Sequence, residues 1–319
     1  MKLERLYRKA VEVGIARDLR GEEEIARLLA EEAERHKDLK DEEKAFYDPD
    51  RLFNPFADSR ILNGDPAADV RIVLAGIDIE VGELLIARLL NKEEGGKIDL
   101  VVSHHPMGSA LLRLHEVMKL QSRLLAKYGV TISVAEQLME KRIGEVERRL
   151  LPINAAREVD AARILGLPLV CLHTPADNCV THFLAGLFEE EKPRLLKDLV
   201  KILRGIPEYE RSVRLQAPPK VVSGSEMNSC GKIFVDMTGG TEGAKDIFDK
   251  IAAGGVSTLV CMHVSEDHLA NAKKANLNVV IAGHIASDTL GLNLLLDEIE
   301  KEERLEFVCL GGFERIRRP

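Results

Sequence analysis

Asp99-Leu100-Val101-Val102-Ser103-His104-His105-Pro106 is an apolar run that stops on two adjacent histidines and a proline. A short β-branched run bounded by turn residues reads as a buried strand. Pro106 cannot continue a central ladder, so the chain leaves the sheet there and presents two imidazoles at its edge. In open α/β sheets that edge, beyond the carboxyl ends of the strands, is where ligands bind. The pattern recurs at Leu169-Val170-Cys171-Leu172-His173, at Leu259-Val260-Cys261-Met262-His263 and at Val279-Val280-Ile281-Ala282-Gly283-His284. One strand ending in histidine is usually a hydrogen-bonded structural residue, but four such endings in one chain point to metal chemistry. Asp177 lies four residues after His173, and Asp288 four after His284. On a helix that spacing puts the pair on one face. Mixed His and Asp donors suit zinc, manganese or iron(II), whereas an all-oxygen set suits calcium or magnesium.

Outward from these runs the chain alternates strand and helix. Strands are expected at 70–77, 98–103, 130–134 and 168–172, with helices at 80–91 and 108–127 and a long helical region up to 166. A helix over 187–203 is broken by Pro193, and 205–219 reads as a connection. A second series places strands near 231–237, 257–262, 277–282 and 305–310, with helices starting near Gly243, Glu266 and Asp288. The fold class is therefore α/β: two halves with mixed sheets flanked by helices, and a site in the cleft between them. The second half repeats the first in style, without a repeat at the level of residues. Residues 1–45 are rich in Glu, Lys and Arg, with apolar residues at helical spacing (Leu3, Leu6, Ala10; Ile25, Leu28, Leu29) on either side of Gly21. Asp48-Pro49-Asp50 and Asn54-Pro55-Phe56 mark a loop after them. The expected division is an N-terminal helical extension over 1–55, a first half over 56–215 and a second over 216–319.

With 319 residues the chain is long enough for two well-filled cores. Only 4% of residues are aromatic and none is Trp, so the cores must be built from Leu, Ile, Val and Ala, as in buried parallel strands. A net charge of −8 argues against nucleic acid as the main partner, because phosphate backbones need a basic surface. The five cysteines have no CxxC spacing and read as buried free thiols of a reducing cytoplasm. The N-terminus lacks the pattern of a secretory signal, and no apolar run reaches membrane-spanning length. The expectation is a cytoplasmic protein with no membrane partner.

The motifs His104-His105-Pro106, His173-Thr174-Pro175-Ala176-Asp177 and Gly283-His284-Ile285-Ala286-Ser287-Asp288 resemble those of the NGG-interacting-factor-like family, often labelled GTP cyclohydrolase I type 2. The resemblance runs from about Asp58 to the C-terminus and includes Asp58…Asn63-Gly64 and Leu74-Ala75-Gly76-Ile77-Asp78. It implies a two-metal site between two α/β halves, with ligands at His104, His105, Asp177, His284 and Asp288. It also implies a ring-shaped homo-oligomer, a hexamer. Two departures stand out. The family's last ligand is Glu where this chain has Asp288, one methylene shorter, so both ions are retained only if the backbone approaches more closely; otherwise the site holds one metal or binds more weakly. His263-Val264-Ser265-Glu266-Asp267-His268 replaces a TGD stretch that the family follows with a histidine, here aligned with His268.

Five donors for two ions leave positions open, and structural zinc sites are closed by four ligands, so an under-filled site leans catalytic. His173 and His268 are the catalytic candidates, with His263 as a further orienting or proton-shuttling residue; each can equally be structural. His36, His115 and His182 lie in expected helices and read as surface or packing residues. Thr238-Gly239-Gly240-Thr241-Glu242-Gly243 follows a strand and can either cradle a phosphate or form a tight turn. Asp78 can touch the site or cap the next helix. Two functions remain: a metal-dependent hydrolase acting on a small, nucleotide-like or phosphate-containing substrate, or a non-catalytic metal-binding or metal-handling interaction protein.

Overall fold

The computed structural model describes residues 1–93 and 98–318. Among the described residues, nine strands build two sheets. The first contains β1 (Arg60–Asn63), β2 (Ile72–Gly76), β3 (Leu100–Ser103), β4 (Leu169–Cys171) and β9 (Glu306–Leu310), in the order β1-β4-β3-β2-β9. The second contains β5 (Lys220–Ser223), β6 (Lys232–Asp236), β7 (Val256–Cys261) and β8 (Asn278–Ile281), in the order β5-β8-β7-β6. The edge strands β1 and β5 run antiparallel to their neighbours, and all other pairs are parallel, so both sheets are mixed. The four strands β5 to β8 thus repeat the pairing of β1 to β4.

The repeat extends to details. Both edge strands carry an irregularity before their last residue, at Ile61/Asn63 and at Val221/Ser223. Each is followed by a glycine with positive φ, Gly64 at 118° and Gly224 at 90°. A Cβ there would lie 2.8 Å from Pro168 and 2.3 Å from Asn278, the residues at the start of β4 and β8. Both conformation and contact demand glycine.

Side-chain alternation sorts the strands into layers. Leu100 and Val102 of β3 face one core and Val101 the opposite one. Val235, Val260 and Val280 of the second sheet likewise face inward, while Phe234, Leu259 and Val279 face outward. The inward faces of both sheets pack on a central pair of helices, Thr174–Glu191 and His284–Glu300. The outer faces are covered by Val81–Glu93 and Arg157–Leu165 on one side, and by Ile132–Leu150, Phe248–Ala253 and Glu266–Lys274 among others on the other.

Several sequence expectations are corrected. Residues 130–134 form no strand: Val130 is buried at the end of a loop, and Ile132–Leu150 is a helix. The β-branched residues there suggested a strand, but the buried set Ala135, Met139, Val146 and Leu150 follows the helical period. Residues 205–219 contain a helix, Pro207–Arg214, that places Tyr209 in the core. The helix expected over 108–127 is three short pieces. The strand expected at 305–310 joins the first sheet beside β2 rather than the second. The first helix, Leu3–Ala16, buries Leu3, Leu6, Tyr7 and Ala10 in the central layer against Leu292 and Leu295. The second helix, Glu22–Asp38, buries only Ile25. Four cysteines are buried and free, but Cys309, on strand β9, is exposed. No helix among the described residues is long and apolar enough to cross a membrane.

Candidate metal centre

The ends of β3, β4 and β8 converge on one point. The backbone N–H groups of His104 and His105 donate to the carbonyls of Gly76 and Ile77, both at 3.0 Å, so the ladder with β2 continues past Ser103 and fixes both rings. His104 is wholly buried, and its Nδ1 lies 3.2 Å from the Leu172 carbonyl. A carbonyl there requires Nδ1–H, which leaves the Nε2 lone pair facing the cluster. The same arrangement recurs twice. His105 Nδ1 lies 2.6 Å from Asp78 Oδ1, and His173 Nδ1 lies 2.8 Å from Asp58 Oδ2. Asp58 also accepts from Thr174 Oγ1 at 2.6 Å. Asp78 therefore serves the site rather than capping a helix.

The opposing side is supplied by the central helices. His104 Nε2 lies 3.4 Å from Asp177 Oδ1 and 3.5 Å from Asp288 Oδ1. The other oxygen of Asp288 lies 3.3 Å from His105 Nε2 and 3.4 Å from His284 Nε2. His173 Nε2 is 3.8 Å from Asp177 Oδ2. His104 Nε2, Asp177 Oδ1 and both oxygens of Asp288 are buried without a hydrogen-bond partner. Unpartnered buried polar atoms are costly, and four facing one another call for a shared counter-ion. Two donors each about 2.1 Å from an ion at a tetrahedral angle stand about 3.4 Å apart, the separation found here. The donors fall into two groups, His104–Asp177–Asp288 and His105–His284–Asp288, joined by the two oxygens of Asp288. A third grouping, His104–His105–His173, brings His173 within ligand range. The residues present thus fit one or two divalent ions.

The electrostatics agree. Burial pushes His104 down to about 4, outweighing Asp288, so the ring is neutral and able to ligate. Burial likewise lowers His284. Burial would raise Asp288, but His104, His105 and His284 overcome it and hold the carboxylate ionised. Burial raises Asp177. Burial would lower His173, but Asp177 and Asp58 overcome it and raise it.

The remaining histidines separate. His263 lines the same cavity, of about 70 Å³, with its ring 4.9 Å from that of His284 and its Nδ1 3.6 Å from Glu242 Oε1. His268 lies behind Glu242, outside that cavity, with Nδ1 2.7 Å from Ser265 Oγ and Nε2 3.1 Å from the Gly243 carbonyl. Both its nitrogens are thereby engaged. The Thr238–Gly243 loop is a tight turn over the cavity, held by Gln121 Nε2 donating to the carbonyls of Gly239 (2.8 Å) and Thr241 (2.7 Å). Sequence reasoning assigned no site role to the carboxylates of Asp58 and Glu242, although Asp58 stands in the family-like block and Glu242 in the Thr238–Gly243 loop; the histidines they face, His173 and His263, are not their neighbours in sequence, so no local pattern pairs them.

The chain is thus an α/β protein of two repeated halves with a buried His/Asp cluster, able to hold metal, where they meet. No known protein-family pattern matches it, and no curated protein does. Among solved structures it is similar to a NIF3 superfamily protein from Sphaerobacter thermophilus, at 27% identity over 81% of this chain and 92% of that one, with a TM-score of 0.70. Weaker likenesses are reduced HcgD from Methanocaldococcus jannaschii (15% identity, 78% and 87% covered, TM-score 0.49) and TTHA1606 from Thermus thermophilus (16%, 79% and 86%, 0.45). The chain carries the NGG-interacting-factor-like fold of the NIF3 superfamily.

Proposed function

We propose that this chain binds two divalent transition ions, zinc, iron or manganese, and acts in the cytoplasm as a metal-dependent hydrolase on a small nucleotide-like or phosphate-containing substrate. The observation that carries the reading is the pair of three-donor groups sharing Asp288, whose buried polar atoms have no other partner. Three protein donors per ion leave a coordination position free, the mark of a catalytic rather than a structural site. Bound ions there would supply Lewis-acid activation of water and of the scissile group. The chain's own residues do the positioning: Asp58, Asp78 and the Leu172 carbonyl fix the tautomers of His173, His105 and His104. The test is elemental analysis of the purified protein followed by a screen of nucleotides and phosphoesters, with His104→Ala alongside. About two equivalents of metal, and turnover that the variant abolishes, are expected; turnover undiminished in His104→Ala refutes the hydrolase.

One observation favours a second reading, metal handling without turnover. The cavity beside the cluster, about 70 Å³, is small against the several hundred Å³ of an ordinary ligand pocket. Rapid reversible metal exchange, with no hydrolysis across the screen, would support it. Either reading includes a homo-oligomer, a hexamer by family resemblance, and a light-scattering mass equal to one 35.4 kDa chain would count against that.

A further inference from the structure

His263 is the cavity histidine that the donor groups leave out. It lines the space beside Asp288 and His284, yet none of the groups of clustered donor atoms includes it. Its position repeats that of His105: each lies two residues beyond the end of the equivalent strand, β7 or β3. Both rings have a carboxylate at Nδ1: Asp78 hydrogen-bonds His105 at 2.6 Å, and Glu242 lies at the ion-pair distance of 3.6 Å from the half-exposed His263, close enough to favour a proton on that nitrogen. Glu242 is itself fixed, because the Ser265 backbone N–H donates to its Oε1 at 2.6 Å. A carboxylate held in place on one ring nitrogen sets the tautomer and orientation of the other. In the first half that other nitrogen faces Asp288. In the second half no protein partner is recorded for it among the described residues. An adventitious surface pair would not need a carboxylate that is four-fifths buried, anchored by backbone and turned to a cavity. No lysine or arginine among the described residues lines this cavity, so apart from the clustered donors and His173 the imidazole able to meet an oxyanion there is His263.

We propose that His263, oriented through Nδ1 by Glu242, is the second half's substrate-binding residue, donating from Nε2 to a tetrahedral oxyanion held at the metal cluster. The inference rests on the metal reading above and names the substrate group, a phosphate-type oxyanion, that the site takes. Glu242 is a positioning residue, acting only through His263.

The test is calorimetric titration of inorganic phosphate into manganese-loaded protein, with metal content measured in parallel. Wild-type protein is expected to bind phosphate. His263→Ala should keep its full metal complement and bind phosphate on the order of 10–100-fold more weakly, the loss of one hydrogen bond to a charged group. His263→Gln, which keeps an N–H donor, should recover part of that loss, and Glu242→Gln should fall between. The proposal is overturned if wild-type protein binds no phosphate, if His263→Ala binds it as wild type does, or if that variant loses metal, which would make His263 a ligand. Turnover is not read, so a missing hydrolase activity defeats the proposed function and leaves this inference standing. Unchanged phosphate affinity in the variants does the reverse.

Discussion

Replacing Asp288 by Asn keeps the shape of the side chain and removes the charge that joins the two donor groups. Ligand binding stabilises a fold by RT ln(1 + [L]/Kd), about 2.7 kcal/mol per site at a hundredfold excess over Kd. Two sites give about 5 kcal/mol. At roughly 2 °C per kcal/mol for a chain this long, metal should raise the melting temperature of the wild type by about 10 °C. Without its carboxylate, position 288 leaves His104 with Asp177 on one side and His105 with His284 on the other. Two donors are a poor site, and the three-donor grouping that remains, His104–His105–His173, can hold only one ion, so at the same metal concentration Asp288→Asn should gain at most about half the wild-type rise, about 5 °C. The assay is differential scanning calorimetry of both proteins, metal-free and at a hundred times the wild-type Kd. An equal metal-dependent rise in the two proteins would refute the bridging role and the fit argument behind it.

Three further expectations follow from particular contacts. A Cβ on Gly291 would sit 2.4 Å from the Ala176 carbonyl oxygen, so Gly291→Ala should force the central helices apart, lower stability by about 1–3 kcal/mol and weaken metal binding; a variant with wild-type stability and metal content contradicts this. Asp177 and His173 are both raised in the metal-free chain, so at neutral pH and below they carry protons that an incoming cation displaces. Metal affinity should therefore rise with pH, by up to about tenfold per unit for each proton released, and competition titrations at pH 6 and pH 8 giving equal constants would overturn the assignment. Leu6 is fully buried in the central layer, so Leu6→Ala should lower the unfolding free energy by about 2–5 kcal/mol; an unchanged denaturant midpoint would make the first helix an accessory.

The site was legible because its donors come from strand ends. A buried strand is a short apolar run, and the residue that ends it is the residue the sheet presents; hence His104, His105, His173 and His284 could be picked from the chain and meet in the structure. What stayed hidden was non-local. The edge strands β1 and β5 are four residues each and not fully buried, so they lack the continuous apolar signature of the central strands. The resemblance of the first helix to a solvated extension came from its charged face, while Leu3, Leu6, Tyr7 and Ala10 cover the central helices. The expected need for a closer backbone at Asp288 has a counterpart one turn further on. Gly291 shares the face of Asp288 and lets the His284–Glu300 helix touch the backbone of its partner at Ala176, next to Asp177. An extra methylene at 288 would have to enter a position that is 1% exposed and already 3.3–3.5 Å from three imidazoles.

The repeat also explains why carboxylates are needed there. Because β4 and β8 are equivalent, the helices that follow them both point their N-termini at the seam, one beginning at Thr174 and the other at His284. Each N-terminus carries a partial positive charge from its free N–H groups and would repel a cation. Asp177 and Asp288, four and five residues into their helices, reverse that field at the point where they meet. Asp236 and Glu242 add two more carboxylates to the wall of the same cavity, so the seam as a whole is arranged to attract a cation in spite of the two helix ends that point at it.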